Sequence, residues 1–126
     1  MSQHVTTVVA WHEALNSEDV ERLVALSRAD IEVGGPRGTA RGASVLRGWF
    51  DRAHMRLVPT RMFHRADVIV VEQQAEWGQP GTDTPTGPII VASVFVVRAG
   101  KVTSVIRHAD LASALQEAGL TDADMV

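Results

Sequence analysis

The chain has 126 residues, of which 45% are hydrophobic and 21% are charged, and its net charge is −3; this is the composition of one folded globular domain and excludes a disordered chain. Its 12 lysines and arginines are spread along the sequence, so we expect neither a nucleic-acid partner nor a membrane partner. The absence of cysteine excludes disulfides, thiolate metal sites and thiol catalysis.

The N-terminal segment and the longest apolar runs bear on where the protein works. The first residues have neither the basic start nor the apolar stretch of a signal peptide. No apolar run reaches the roughly 20 residues that a membrane-spanning helix needs. We therefore expect a soluble, cytoplasmic protein, and nothing in the sequence calls for a cofactor.

The first predicted helix carries an apolar stripe. Its members recur at helical spacing, and they are Val5, Val8, Trp11, His12 and Leu15. We place Trp11 at a ligand pocket. His12 is either a pocket base or a buried histidine satisfied by a neighbour, and the second case is the commoner one.

The next stretch predicts two further helices and a short strand. Asn16 or Ser17 is the expected cap of the second helix. A strand over 30–33 follows, and the glycine-rich segment 34–38 is expected to be an irregular loop. A third amphipathic helix is predicted from Ala43 to His54.

From Arg56 onward the pattern is typical of strands. We predict strands over 56–65 and 68–77, joined by a turn at Ala66-Asp67. After a polar loop, nine of the ten residues from Ile89 to Arg98 are apolar or small, which indicates a central strand covered on both faces.

The last hairpin sets the register of the final strand. We expect a three-residue loop, Arg98-Ala99-Gly100, because Ala-Gly is a poor two-residue turn. That loop places Arg107 opposite Val91. Asp110 then caps a short last helix, which ends at Gly119.

These elements together predict an α+β fold. The economical packing is a cone, in which N-terminal helices lie on the concave face of a curved, mostly antiparallel sheet. We assign residues 1–120 to this domain and expect the tail 121–126 to be flexible.

Three segments of the sequence resemble the nuclear transport factor 2-like superfamily. They are ALNSEDVERLVALSRADIEVGGPRG, TARGASVLRGWF and ASVFVVRAGKVTSVIRHADLASAL. They are most similar to the SnoaL-like branch, which is related to ketosteroid isomerases and limonene epoxide hydrolases. The resemblance implies the cone fold, whereas the activities found on this fold are diverse.

Two positions implied by the isomerases have changed. The tyrosine that donates a hydrogen bond in those enzymes falls on Trp11, whose indole N–H is a poor proton source. The proton-shuttling aspartate falls on Gly35, which cannot transfer a proton. The resemblance therefore does not extend to steroid isomerisation by that mechanism.

The epoxide hydrolase pattern is also incomplete. It implies polar residues near Val33 and Gly35, an arginine and an aspartate near Gln74 and Glu76, and an aspartate near Arg107. Of these positions only Glu76 keeps the required chemistry.

Glu76 and Arg107 are the remaining candidates for chemistry. Gln74 and Glu76 share one face of their strand, and the resemblance places that face inside the cone, with Arg107 pointing the same way. Glu76 would then be a general base or polar anchor, with Arg107 holding a ligand oxygen. The alternative is a structural ion pair at the rim of the cone.

The expected site is thus a pocket for a small, largely apolar molecule. The catalytic candidates are Glu76, Arg107 and His12. The ligand-binding candidates are Trp11, Gln74, Val33, Val91, Val105 and Trp49. The scattered histidines His54, His64 and His108 lack the spacing of metal ligands.

The function expected from the resemblance is acid–base catalysis by an isomerase, lyase or hydrolase. The alternative is a non-catalytic module for ligand binding or dimerisation. The second face of the central strand, with Ile90, Ala92, Val94 and Val96, is also apolar. It predicts a homodimer through the outer face of the sheet, unless the C-terminal helix covers that face.

Overall fold

A computed structural model describes residues 3–35, 38–53, 55–77 and 86–126. Within those ranges, the side chains of 49–53, 55, 77 and 86–88 lie outside the description. His54, one of the scattered histidines, lies outside it as well.

Helix α1, Gln3–Asn16, forms as the sequence predicts. The whole predicted apolar stripe is buried, including Trp11 and His12. Helix α2 is Val20–Ala25, and its cap is Asp19, whose carboxylate accepts a hydrogen bond from the Arg22 amide at 3.1 Å. The prediction of Asn16 or Ser17 as the cap was wrong, because Asn16 is used in a contact with another element.

Gly34, Gly35 and Gly38 of the glycine-rich segment belong to paired strands and not to an irregular loop, whereas residues 36 and 37 lie outside the described residues. Strand β1, Ser27–Gly35, pairs antiparallel with β2, Gly38–Arg41, a strand that the sequence analysis missed. A side chain at Gly34 would overlap the carbonyl oxygen of Gly38 and the side chain of Thr39. Glycine is needed there because the two strands approach each other closely.

The remaining elements follow the predicted order. Helix α3 is Ala43–Ala53. The long strands are β3, Met55–Arg65; β4, Val68–Trp77; β5, Thr86–Arg98; and β6, Lys101–His108. Helix α4 is Leu111–Ala118.

In the described part of the chain, six strands form one open sheet in the order β2-β1-β6-β5-β4-β3. All neighbouring pairs are antiparallel except β1 and β6, which run parallel. Helices at the N-terminal end of the chain pack on this curved sheet. The predicted α+β cone is confirmed.

The turn between β5 and β6 differs from the prediction. Arg98 pairs with Lys101, so the turn has two residues, and both Ala99 (φ 53°) and Gly100 (φ 76°) are left-handed. These are the angles of a type I′ turn, whose twist matches that of the strands. The register then shifts between Val96 and Val97.

The shift changes which residue faces Arg107. Arg107 lies opposite Ser93 and not opposite Val91, as a three-residue loop would have required. The alternation of the strand is unaffected, because Val91 and Ser93 point to the same face.

The main core lies between α1 and the inner face of the sheet. It includes side chains from all the major strands and from α1, α2 and α3, among them Trp11, Leu23, Leu46, Phe95 and Val105. A second, smaller cluster lies on the outer face. It packs Phe63, Val70 and Ala92 against Ala114 of α4.

Helix α4 therefore covers part of the outer face. Asp110 caps it by accepting a hydrogen bond from the Ser113 amide at 2.8 Å, and Gly119 ends it in the left-handed conformation, as predicted. Covering by this helix is the alternative that the sequence analysis set beside a homodimer. Among the described helices, none has the length and apolarity to cross a membrane.

The C-terminal residues have more contacts than the expectation of a flexible tail implied. Residues Asp122–Asp124 form a 3-10 helix, and Asp124 pairs with Arg65 at 2.9 Å. The Val126 amide donates to the Met62 carbonyl at 3.0 Å, which places the tail along the outer edge of β3.

Candidate functional site

The inner face of β4 carries Gln73 and Ala75, and not Gln74 and Glu76 as predicted from the sequence. Gln73 and Ala75 are fully buried against α1 and β5, whereas Gln74 is exposed beside Val58 and Ile90. Glu76 lies on the same outer face as Gln74, opposite Arg56 of β3. The assignment of Gln74 and Glu76 to the cone interior was wrong, because the alternation on β4 is offset by one residue from the assumed one.

A chain of three buried polar side chains occupies the inner face instead. His12 of α1 lies 2.8 Å from Gln73 through the two Nε2 atoms, and the Ser93 hydroxyl donates to Gln73 Oε1 at 2.8 Å. All three residues are at most 2% exposed. Each polar atom has a partner, as buried polar groups require.

The hydrogen bonds fix the tautomer of His12. Its Nδ1 lies 2.8 Å from the carbonyl oxygen of Val8, which can only accept, so Nδ1 carries the hydrogen. Nε2 is then bare and accepts from the Gln73 amide. Burial lowers the pKa of His12 from 6.5 to about 4, although the bond to Val8 acts in the opposite direction. His12 is therefore a neutral internal brace at pH 7.

Trp11 is also fully buried, and its contact with a ligand stays a prediction. Its indole N–H donates to the Ser27 hydroxyl at 3.1 Å, and this hydroxyl donates to the Leu23 carbonyl at 2.8 Å. Its ring packs edge-on against Phe95, with 5.3 Å between centroids. Trp11 is part of the main core.

The inner face becomes slightly more exposed toward one end of the strands. On β1 the exposed fraction rises from 0% at Ile31 to 9% at Val33, and Gly35 beyond it is partly exposed. Val91 and Val105 are 5% and 6% exposed at the same end of the sheet, whereas Phe95, further in, is fully buried. The register brings these strand ends together, because Val33 pairs with Val105. We call Val33, Gly35, Val91, Val105 and Arg107 the mouth.

Arg107 supplies the charge at the mouth. It follows Val105 on the same face of β6, and its side chain is exposed. A Cβ placed on Gly35 would lie 3.8 Å from Arg107 Cβ and 3.9 Å from its Nε. The side chain of Arg107 therefore lies beside Gly35, the position at which the resemblance implies a proton-shuttling aspartate.

Glu76 and Arg107 do not form the predicted pair within one cavity. They lie on opposite faces of the sheet, with β5 between their strands. The side chain of Trp49 lies outside the described part of the structure, so its contact with a ligand stays a prediction. Within the described residues, no group of three histidine, aspartate or glutamate side chains could hold a metal ion.

Gln73 and Ser93 are buried polar residues that the sequence analysis missed, although the sequence carried a signal for both. In β4 the alternate positions 69, 71, 73 and 75 are Ile, Val, Gln and Ala, so Gln73 is the one polar residue among these otherwise apolar positions. Ser93 is likewise the one polar residue between Ile89 and Val97. A lone polar residue on a buried face needs a buried partner.

Comparisons with known proteins agree with this fold. A family model described as a SnoaL-like domain matches residues 8–105. No protein among those with curated descriptions matches the sequence.

Solved structures with the same fold are numerous, at low sequence identity. TerC co-crystallised with polyporic acid is 21% identical with a TM-score of 0.75, over 92% of this chain and 97% of TerC. A hypothetical protein from Catenulispora acidiphila with a ketosteroid isomerase-like fold, in complex with trimethylamine, is 23% identical with a TM-score of 0.68, over 91% of this chain and 93% of that protein. A protein from Sinorhizobium meliloti that is described as a candidate polyketide cyclase is 16% identical with a TM-score of 0.68. The match covers 81% of this chain and 93% of that protein.

Proposed function

Because the chain belongs to the SnoaL-like domain family, we propose that it binds a small, mainly apolar molecule at the mouth, with Arg107 contacting a polar or anionic group of that molecule. The observation that carries the proposal is an apolar inner face that gains exposure toward one end, with an arginine at that end. Small molecules in the crystals of TerC and of the Catenulispora acidiphila protein support it.

The ligand chemistry follows from the residues of the mouth. Val33, Val91 and Val105 offer aliphatic surface, which favours the burial of an apolar ring or chain. The Arg107 guanidinium has several N–H donors in a planar fork and suits a carboxylate, sulfonate or phenolate oxygen. The preferred ligand is thus an apolar body with one acidic group.

The same geometry favours binding without acid–base catalysis. His12 is neutral, enclosed and engaged at both nitrogens, so it is not available to a ligand at the mouth. Glu76 lies on the other face of the sheet. The isomerase, lyase or hydrolase expected from the resemblance would need another proton acceptor, and this favours the non-catalytic alternative.

The test uses the fluorescent aromatic anion 1-anilinonaphthalene-8-sulfonate as the probe. The wild-type protein should bind it saturably, and Arg107→Gln should raise the Kd about tenfold, because one charge-assisted hydrogen bond is lost. Both Kd values come from fluorescence titration, with circular dichroism confirming that the variant is folded.

Arg98→Gln is the matched control. It removes the same charge at the far end of β5, where Arg98 lies 3.5 Å from Asp67. Its Kd should equal the wild-type value. An equal loss of affinity in both variants would show a general charge effect and contradict a site at the mouth.

We also propose that two copies associate through the part of the outer face that α4 leaves open. Val58, Gln74 and Ile90 lie side by side there on β3, β4 and β5. Val58 is 37% exposed and Ile90 is 51% exposed. Exposed apolar residues in neighbouring positions favour an interface.

A further inference from the structure

A cavity separate from the mouth lies between α1 and β3. Its volume is about 690 Å³. It is lined by Val5, Val9, Pro59, Thr60, Arg61, Met62, His64, Met125 and Val126. The strand order places β3 at the sheet edge, three strands away from Arg107 on β6, which is about 14 Å at the usual strand spacing.

Contacts at the C-terminal end of α1 and along the tail hold the walls of this cavity together. Asn16 binds the backbone of Leu57 and so holds the C-terminal end of α1 on β3. The far wall is the tail, which pairs with β3 through the bridge between Phe63 and Met125. The cavity is thus bounded by α1, β3 and the tail of the same chain.

The charged side chain at this cavity is neutralised within the protein. Arg61 binds Glu72 through two hydrogen bonds, of 3.0 and 2.9 Å. The Thr60 hydroxyl lies 2.9 Å from the same carboxylate. The arginine holds the pKa of Glu72 below its usual range, so the pair stays ionised together. No net charge is offered to a ligand by these residues.

The other polar residue is also engaged. His64 Nε2 lies 2.7 Å from the Ala66 carbonyl oxygen, so this nitrogen carries a hydrogen and donates it. The six remaining lining residues are apolar. Met62 and Met125 are flexible, polarisable side chains that adapt to ligands of different shape.

We infer that this cavity is a second binding site, which takes a neutral, mainly apolar small molecule. Its volume is within the range of roughly 300 to 1,000 Å³ that is usual for small-molecule sites. A strand of a second copy is disfavoured at this point, because Met125 and Val126 already pair with the edge of β3. The inference does not depend on the function proposed for the mouth.

The test uses N-phenyl-1-naphthylamine, a neutral probe that fluoresces in apolar surroundings. The wild-type protein should bind it saturably. The double variant Met125→Ser/Val126→Ser should raise its Kd about fivefold or more, because apolar surface is lost from one wall while the core is untouched. In wild-type protein labelled at its methyl groups, the bound probe should give nuclear Overhauser effects to Val5, Val9 and Met62.

Two control variants separate this site from the other surfaces. Val58→Ser changes an exposed apolar residue on the outer face of the same strand and should leave the Kd unchanged. Arg107→Gln should also leave this Kd unchanged. A wrong proposal for the mouth and a wrong inference for this cavity would therefore be recognised by different measurements.

Three outcomes would overturn the inference. The first is an unchanged Kd in the double variant, and the second is probe contacts confined to residues outside the cavity. The third is loss of probe binding as the protein is concentrated, which would show that a second copy covers the cavity.

Discussion

His12 differs from a catalytic histidine in how completely its ring is held. Val8, Gln73 and Phe95 surround it, the last with 5.2 Å between ring centroids. If Nε2 of His12 took up a proton, that proton would point at the N–H group of Gln73, and no solvent is present to stabilise the charge. The protonation of His12 is therefore coupled to folding.

The folded protein should lose stability as the pH falls from 6.5 toward 4. Below its ordinary pKa of 6.5, His12 takes up a proton in the unfolded chain, whereas in the folded chain it stays neutral down to a pKa of about 4. The lowered pKa thus favours unfolding at low pH, by about 3 kcal/mol once the pH is below both values. Urea denaturation at several pH values measures this loss.

The variant His12→Gln isolates this contribution. It should be less stable at pH 7 by about 1 to 3 kcal/mol, because Gln73 loses its fitted acceptor. Its stability should fall less steeply between pH 6.5 and 4. Carboxyl groups with lowered pKa values, such as Glu72 and Asp124, also make the stability depend on pH. Their contribution is the same in both proteins, so it cancels in the difference between the two profiles. Parallel pH profiles for the two proteins would contradict the assignment.

At the scale of elements, Asn16 joins the end of α1 to the edge strand β3. Its Nδ2 donates to the Leu57 carbonyl at 2.7 Å, and its Oδ1 accepts from the Leu57 amide at 2.9 Å. One side chain thus satisfies both backbone groups of a residue on an edge strand. This contact holds the C-terminal end of α1 on β3.

Replacing Asn16 with alanine should lower the free energy of unfolding by about 2 kcal/mol, because two hydrogen bonds are lost at a partly buried place. Urea denaturation measures the change. Hydrogen exchange of the Leu57 amide should also become faster, since this amide loses its acceptor.

Ser17→Ala is the control for this prediction. Its hydroxyl binds the Glu13 carbonyl within α1, at an exposed position. It should change the free energy of unfolding by less than about 0.5 kcal/mol. Equal effects of the two substitutions would mean that Asn16 acts only at the end of the helix and does not join α1 to β3.

At the scale of the whole molecule, the sheet has two differently covered faces. The N-terminal helices cover the inner face, whereas α4 covers only the part of the outer face near Ala92 and Phe63. The row of Val58, Gln74 and Ile90 remains exposed. This row is where we propose that a second copy binds.

Ile90→Glu should convert a dimer into a monomer, because the interface would bury an unpaired carboxylate. Sedimentation velocity at micromolar concentration measures the mass. Ala29→Glu adds the same charge at an exposed position on β1 and should leave the dimer intact. A wild-type protein that sediments as a monomer would contradict the proposal.

Local patterns predicted most of the elements. The stripe on α1, the long strands β3 and β4, the cap at Asp110 and the end at Gly119 all follow from residues close in sequence. Strand β2 was missed because its four residues are exposed and carry no apolar pattern. Its pairing depends on the close approach that Gly34 allows.

The candidate site was predicted less well than the fold. Val33, Val91 and Val105 were expected at the pocket, and they lie in the inner core. Arg107 was placed on the inner face by the resemblance, and it lies opposite the inward-facing Ser93. Strand alternation predicted that Gln74 and Glu76 share a face, and the resemblance placed that face inside. The alternation on β4 is offset by one residue, so both lie on the outer face.

The sequence by itself determined the α+β class and the buried stripe of α1, because periodicity and capping are local properties of the chain. The resemblance of three segments to SnoaL-like domains indicated the family. Only the tertiary structure decided that Gln73 and Ser93 meet His12, that Arg107 lies beside Gly35, and that the tail closes a cavity beside β3. These contacts join residues far apart in sequence, and they depend on sheet register and on a bulge that no local pattern specifies.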